Sequence, residues 1–191
     1  MRKINNICVF SGSSTPTKEI YAEKTIQLGK LLAEKHINLV YGGGNRGLMG
    51  TLASTVRENG GHVIGVLPEI FNVPEVRTKD NESELIVTPD MHSRKKAMYD
   101  KADAFIALPG GIGTFDELFE SYTWKQIGFH DKPVLLLNID GFYDGLLSFL
   151  DTTVETGFLT EEARNALLVE EDPAKALEAL ESDEHVHMNK I

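Results

Sequence analysis

A single cysteine, Cys8, occurs in the 191 residues, so an intrachain disulfide and a cysteine-built zinc cage are both excluded. Cys8 lies inside the apolar run Ile7-Cys8-Val9-Phe10. That setting suits a buried packing residue rather than a nucleophile, since reactive thiols need polar, exposed surroundings. Basic residues are also scarce: 19 Lys and Arg stand against 29 Asp and Glu, a formal charge of −10. This balance argues against nucleic acid as a partner, because such binding relies on clustered cations that displace counterions. A small anionic ligand stays open, since a few backbone N–H groups build a local anion site even on an acidic protein. No apolar run approaches the roughly 20 residues of a membrane span, and none at the N-terminus is long enough for a signal peptide. The expectation is therefore no membrane partner and a cytoplasmic location.

Nothing in the composition points to disorder: 41% of residues are hydrophobic and 25% charged, ordinary values for a globular protein. The length fits one domain able to bury a core without staples. One domain over residues 1–183 is expected, with a tail at 184–191 in which His185 and His187 read as tail residues rather than metal ligands. No repeat, linker or low-complexity segment interrupts the chain.

Short apolar runs alternate with helical patterns. Strands are predicted at Ile7–Phe10, Leu39–Tyr41, Val63–Leu67, Leu85–Val87, Ala104–Leu108 and Val134–Leu137. Their continuous apolarity is that of strands buried on both faces of a parallel sheet. Helices are predicted near Lys18–Lys35, Gly47–Asn59, Met91–Lys101, Phe115–Ile127, Phe142–Glu155 and Pro173–Ser182. The last carries Asp172 as N-cap and Pro173 at the first helical position. Alternation of this kind predicts an α/β fold, a Rossmann-like doubly wound parallel sheet with helices on both faces. Ligands in such sheets sit beyond the carboxyl ends of the strands, near the switch in strand order. The polar stretch from Pro68 to Asn81 is expected to loop over one end of the sheet.

Three strand ends carry candidate chemistry. After the first strand, Ser11-Gly12-Ser13-Ser14-Thr15-Pro16 reads either as an anion-approaching turn or as simple cap chemistry. After the second, Gly42, Gly44 and Gly47 satisfy a G-x-G-x-x-G pattern, with Glu69 about twenty residues on, which admits a dinucleotide site. Close approach of a ligand and tight helix–sheet packing both explain such glycines. After the fifth, Pro109-Gly110-Gly111-Ile112-Gly113-Thr114 would present free N–H groups of Gly111 to Thr114 at a helix N-terminus, a phosphate cradle. Thr114-x-x-Glu117 also matches a capping box, which would leave Glu117 a purely structural role. Upstream, Arg94-Lys95-Lys96 near a helix start oppose the macrodipole, an arrangement better explained by a shared anion. Arg94 suits a phosphate or carboxylate through its planar fork.

Pro109-Gly110-Gly111-x-Gly113-Thr114-x-x-Glu117 with Met91-His92-x-Arg94-Lys95, the Gly42–Gly50 segment and Ser11-Gly12-Ser13-Ser14 together resemble the LOG family of cytokinin-activating phosphoribohydrolases, once labelled lysine decarboxylase-like. The likeness runs from Asn6 to about Val169. It implies a homodimer that hydrolyses the N-glycosidic bond of N6-substituted adenosine 5′-monophosphates to free base and ribose 5-phosphate, with no cofactor and no metal. It implies Arg94 and Glu117 as the catalytic pair. The implied nucleotide contacts are Met91, Lys95, Gly110, Gly111, Ile112, Gly113, Thr114, Phe115, Asp116 and Thr123, with Glu69, Ser13, Gly43 and Gly44. Pyridoxal-phosphate decarboxylation finds no support, because no lysine stands at a strand end beside an acidic partner for the ring nitrogen. Two other classes compete: a nucleotide-binding or carrier protein without catalysis, and an NAD-dependent dehydrogenase using Gly42–Gly47.

Overall fold

The computed structural model describes residues 2–73, 75–76 and 81–183; the expected tail at 184–191 lies outside them. Among these residues the chain runs β1 (Asn6–Phe10), α1 (Glu19–Glu34), β2 (Asn38–Tyr41), α2 (Gly47–Glu58), β3 (Val63–Pro68), β4 (Glu84–Thr88), α3 (Met91–Lys101) and β5 (Ala104–Ala107). It continues through α4 (Ile112–Gln126), β6 (Val134–Leu137), α5 (Asp144–Glu155), α6 (Glu161–Asn165), β7 (Leu167–Glu170) and α7 (Pro173–Ser182). The strands form one sheet in the order β4-β3-β2-β1-β5-β6-β7, with every neighbouring pair parallel. The sheet is therefore the Rossmann-like doubly wound one that strand–helix alternation predicts. The order reverses between β1 and β5, and that switch opens a crevice at their carboxyl ends.

Strand alternation divides the core into two layers. Ile7 and Val9 of β1 face one side, where they join Leu28 and Leu32 of α1, Leu52 and Val56 of α2, and Leu177 and Leu180 of α7. Cys8 and Phe10 face the other, against Met98 and Tyr99 of α3, Leu118 and Tyr122 of α4, and Leu150 of α5. Cys8 is thus a packing residue, and burial pushes its thiol well above the ordinary value, which removes it as a nucleophile.

The starts of α3, α6 and α7 carry side-chain caps. The Asp172 side chain accepts from the N–H groups of Ala174 and Lys175 (2.9 and 3.4 Å), and Asp90 accepts from Ser93 N (2.8 Å). Two elements escape the sequence reading: α6, and β7 on the edge beyond β6. β7 is short and only partly buried, so it lacks the continuous apolar signal of the central strands. β4 is the opposite edge, with Val87 exposed, rather than a strand covered on both faces. Helix α5 starts two residues later than expected because Asp140 and Gly141 take positive φ in a short 3-10 turn after β6.

Candidate functional site

The loops after β1 and β5, the start of α2 and the starts of α3 and α4 enclose a cavity of about 710 Å³ at the switch point, a size suited to a small-molecule ligand. Its floor is built by close backbone packing. Gly12 N–H donates to Pro109 O (3.1 Å) and Gly12 O accepts from Met49 N (3.3 Å). A Cβ on Gly110 would run into Thr114, and one on Gly47, at φ +59°, would run into the backbone of Gly12, Ser13 and Ser14. The glycines let three turns converge where side chains would hold them apart.

Helix α4 enters this cavity by its N-terminus. Gly111 is the N-cap, without a side-chain cap bond, and the first turn has no acidic residue. The first closing bond is Phe115 N to Gly111 O (3.1 Å), so the N–H groups of Ile112, Gly113 and Thr114 have no intrahelical acceptor. Gly111 and Gly113 adjoin open space, with nothing within 4 Å of an added Cβ. Free donors, the positive end of the dipole and room for close approach together make an anion site. This geometry corrects the capping-box reading. The cap lies at Gly111, Thr114 is inside the helix, and Glu117 stands one turn beyond, its carboxylate engaged elsewhere.

That engagement is with Arg94, whose Nη1 lies 3.0 Å from Glu117 Oε1. Both line the cavity and both are almost buried, at 8% and 7% exposure. Arg94 Nε also donates to Val66 O at the end of β3 (3.2 Å). Gly42 makes space for this guanidinium: a Cβ there would come under 3.0 Å from Arg94 Nη2. Burial pushes the Glu117 carboxyl above the ordinary glutamate range, and the Arg94 charge pulls it back down. The backbone of Glu117 is held as well, because the Tyr99 hydroxyl donates to Glu117 O (3.2 Å) and to Glu120 Oε2 (2.8 Å). A buried carboxylate oriented by a guanidinium can stabilise developing positive charge or take a proton from water.

The cavity brings together Ser13, Met91, Arg94, Gly110, Gly111, Ile112, Gly113, Thr114, Asp116 and Glu117. Six other expected contacts stand outside its wall. Lys95 Nζ is taken by Asp116 Oδ2 (3.1 Å) and Glu120 Oε2 (2.9 Å), so it ties α3 to α4. Phe115 packs its ring on Tyr143. Thr123 is exposed three turns along α4, and Glu69 is exposed in a 3-10 turn after β3. Gly43, at φ +72°, backs onto Leu67, and Gly44 onto Met49. The Gly42–Gly47 pattern therefore serves internal packing, which removes the reason to read it as a dinucleotide fingerprint. Of the three successive cations only Arg94 faces the cavity; Lys96 pairs with Asp100 at 2.6 Å on the surface. Sequence reasoning did not single out Tyr21, Phe71 and Phe142, which line the cavity but carry no local motif; Leu48 and Met49, inside the Gly42–Gly50 segment, line it too.

A doubly wound parallel sheet with a helix N-terminus opening into its switch-point cavity defines a Rossmann-like protein. Comparison with known proteins narrows the class. A family model described as "Possible lysine decarboxylase" matches residues 49–180. A cytokinin riboside 5′-monophosphate phosphoribohydrolase of Arabidopsis thaliana is 46% identical over 179 residues, covering 94% of this chain and 84% of the relative. A probable enzyme of the same name from Oryza sativa subsp. japonica is 47% identical, covering 94% and 73%. Among solved structures, the molybdenum cofactor binding protein of Rippkaea orientalis superposes with a TM-score of 0.71 at 27% identity, covering 95% of this chain and 98% of that one. The molybdenum cofactor carrier protein of Chlamydomonas reinhardtii gives 0.69 at 26%, covering 93% and 96%. The chain belongs to the LOG family, which these phosphoribohydrolases and the family model represent.

Proposed function

We propose that this protein hydrolyses the N-glycosidic bond of adenosine 5′-monophosphates, N6-substituted ones included, releasing the free base and ribose 5-phosphate. The observation that carries the reading is the pairing of Arg94 and Glu117 (3.0 Å) in the same cavity as the open N-terminus of α4. Relatives of 46–47% identity bearing the phosphoribohydrolase name support it. The 5′-phosphate takes the N–H groups of Ile112, Gly113 and Thr114, and its binding energy fixes the ribose over the pair. As the C1′–N bond breaks, its electrons leave with the base, which takes up a proton, and positive charge grows on the sugar. Glu117, ionised, stabilises that charge and accepts a proton from the water whose oxygen bonds to C1′. Arg94 keeps Glu117 ionised and oriented. Ile112, Met91 and Phe71, exposed apolar side chains on the cavity wall, suit a purine with an apolar N6 substituent. We further propose a homodimer acting in the cytoplasm; gel filtration at twice the 21.2 kDa of one chain is the expected result for the first.

Glu117→Gln abolishes base release from isopentenyl-adenosine monophosphate while ribose 5-phosphate binding survives; near-wild-type turnover would return Glu117 to a structural role. Because the phosphate anchors the substrate, nucleosides turn over far more slowly than nucleotides, and equal rates would remove the phosphate site from the reading. A second reading, binding without cleavage, is favoured by the likeness to the molybdenum cofactor binding protein. Incubation with AMP separates the two, since a carrier returns AMP intact and the enzyme yields adenine.

A further inference from the structure

Ser11 directly follows β1 at the switch point and belongs to the cavity wall. It is 5% exposed, and its Oγ has no hydrogen-bond partner among the described residues. A buried hydroxyl left unpaired is destabilising, and folded proteins retain few of them. The other hydroxyls of this turn differ: Ser13, Ser14 and Thr15 are exposed, where water satisfies them. Because Ser11 belongs to the cavity wall, a ligand seated there is the partner such a hydroxyl can take up by turning about its χ1.

Its neighbours say which part of a ligand that is. The next residue, Gly12, spends its N–H on Pro109 O, and a Cβ on Gly12 would touch Gly110 Cα at 3.2 Å. Gly110 in turn is packed against Thr114 of α4. Ser11 thus adjoins the turn that opens the anion-binding helix. We propose that the Ser11 hydroxyl hydrogen-bonds the ribose 5-phosphate portion of the bound nucleotide and is kept unpaired in the free protein for that purpose. This rests on the reading of the cavity as a nucleoside 5′-monophosphate site. It makes Ser11, rather than the solvated Ser13, the hydroxyl of this turn that selects the ligand.

The test is titration calorimetry of ribose 5-phosphate and of inorganic phosphate against the wild-type protein and Ser11→Ala, with thermal melts of both free proteins. Ser11→Ala weakens ribose 5-phosphate by about 10- to 100-fold, the range for a hydrogen bond to a charged group. The Tm of the free variant stays level or rises, because an unpaired buried hydroxyl has been removed. A matching loss for inorganic phosphate assigns the bond to the phosphate, and a loss confined to ribose 5-phosphate assigns it to the sugar; either supports the proposal. An affinity within twofold of wild type overturns it. So does a clear fall in the free protein's Tm, which would show that the hydroxyl is satisfied within the fold. Failure of the wild-type protein itself to bind ribose 5-phosphate would instead overturn the proposed function, and this inference with it.

Discussion

Gly42→Ala tests whether the glycine after β2 exists to seat a catalytic guanidinium or to approach a ligand. An added methyl would stand under 3.0 Å from Arg94 Nη2 and 3.3 Å from its Cζ. Restoring ordinary contact at about 3.5–4.0 Å requires Nη2 to retreat by roughly 1.5 Å or more. Arg94 has little freedom to move, because Nε is bound to Val66 O at 3.2 Å and Nη1 to Glu117 at 3.0 Å. A displacement on this scale costs on the order of 10²-fold in rate, or about 2.7 kcal/mol of transition-state stabilisation. The loss of one hydrogen bond to a buried charge costs about 1–3 kcal/mol of stability, a Tm decrease of roughly 2–12 °C for a chain of this size, so the protein stays folded at 25 °C. The assay is base release from isopentenyl-adenosine monophosphate, with kcat and KM separated. The fall is expected in kcat, because in the proposed reaction Arg94 acts through Glu117 rather than on ground-state binding. Gly44→Ala, whose methyl would first meet the Met49 side chain rather than Arg94, is expected to cost about tenfold less. A Gly42→Ala enzyme whose kcat/KM lies within about threefold of wild type would refute this account of the glycine.

The pH dependence of kcat/KM has a definite direction. In the proposed reaction Glu117 works ionised, and burial holds its carboxyl above the ordinary range, so the acid limb is expected above the roughly 4.3 of a free glutamate. Arg94→Gln removes the charge that opposes this shift, and the residual activity is lost at still higher pH; an unmoved limb would show that Glu117 does not govern it. Tyr143→Phe removes the 2.6 Å bond from the buried hydroxyl to Leu108 O, just ahead of the glycine turn. The stranded carbonyl costs about 1–3 kcal/mol in denaturant unfolding, and an unchanged midpoint would mean the bond contributes nothing.

Sheet type, the central strands and the glycine turn at the start of α4 were legible because each has a local signature. Continuous apolarity marks strands covered on both faces, and a strand end followed by Gly110-Gly111-Ile112-Gly113 marks a free helix N-terminus. The cap at Asp172 was legible for the same reason: its partners, Ala174 and Lys175, are its neighbours in sequence. Edge strand β7 was not, since partial burial erases the apolar signal. The roles of identical residue types were not legible either. Gly42 and Gly113 look alike in the chain, yet one is held small by an arginine 52 positions away and the other adjoins open cavity. Arg94 and Lys95 are consecutive, and only packing decides that the first turns to Glu117 while the second meets Asp116 and Glu120 of α4. Sequence by itself determined the kind of sheet and the place where a helix N-terminus opens at the switch point. Tertiary structure alone decided which charges and hydroxyls reach that place, because burial and pairing depend on residues that the fold, not the order of the chain, makes neighbours.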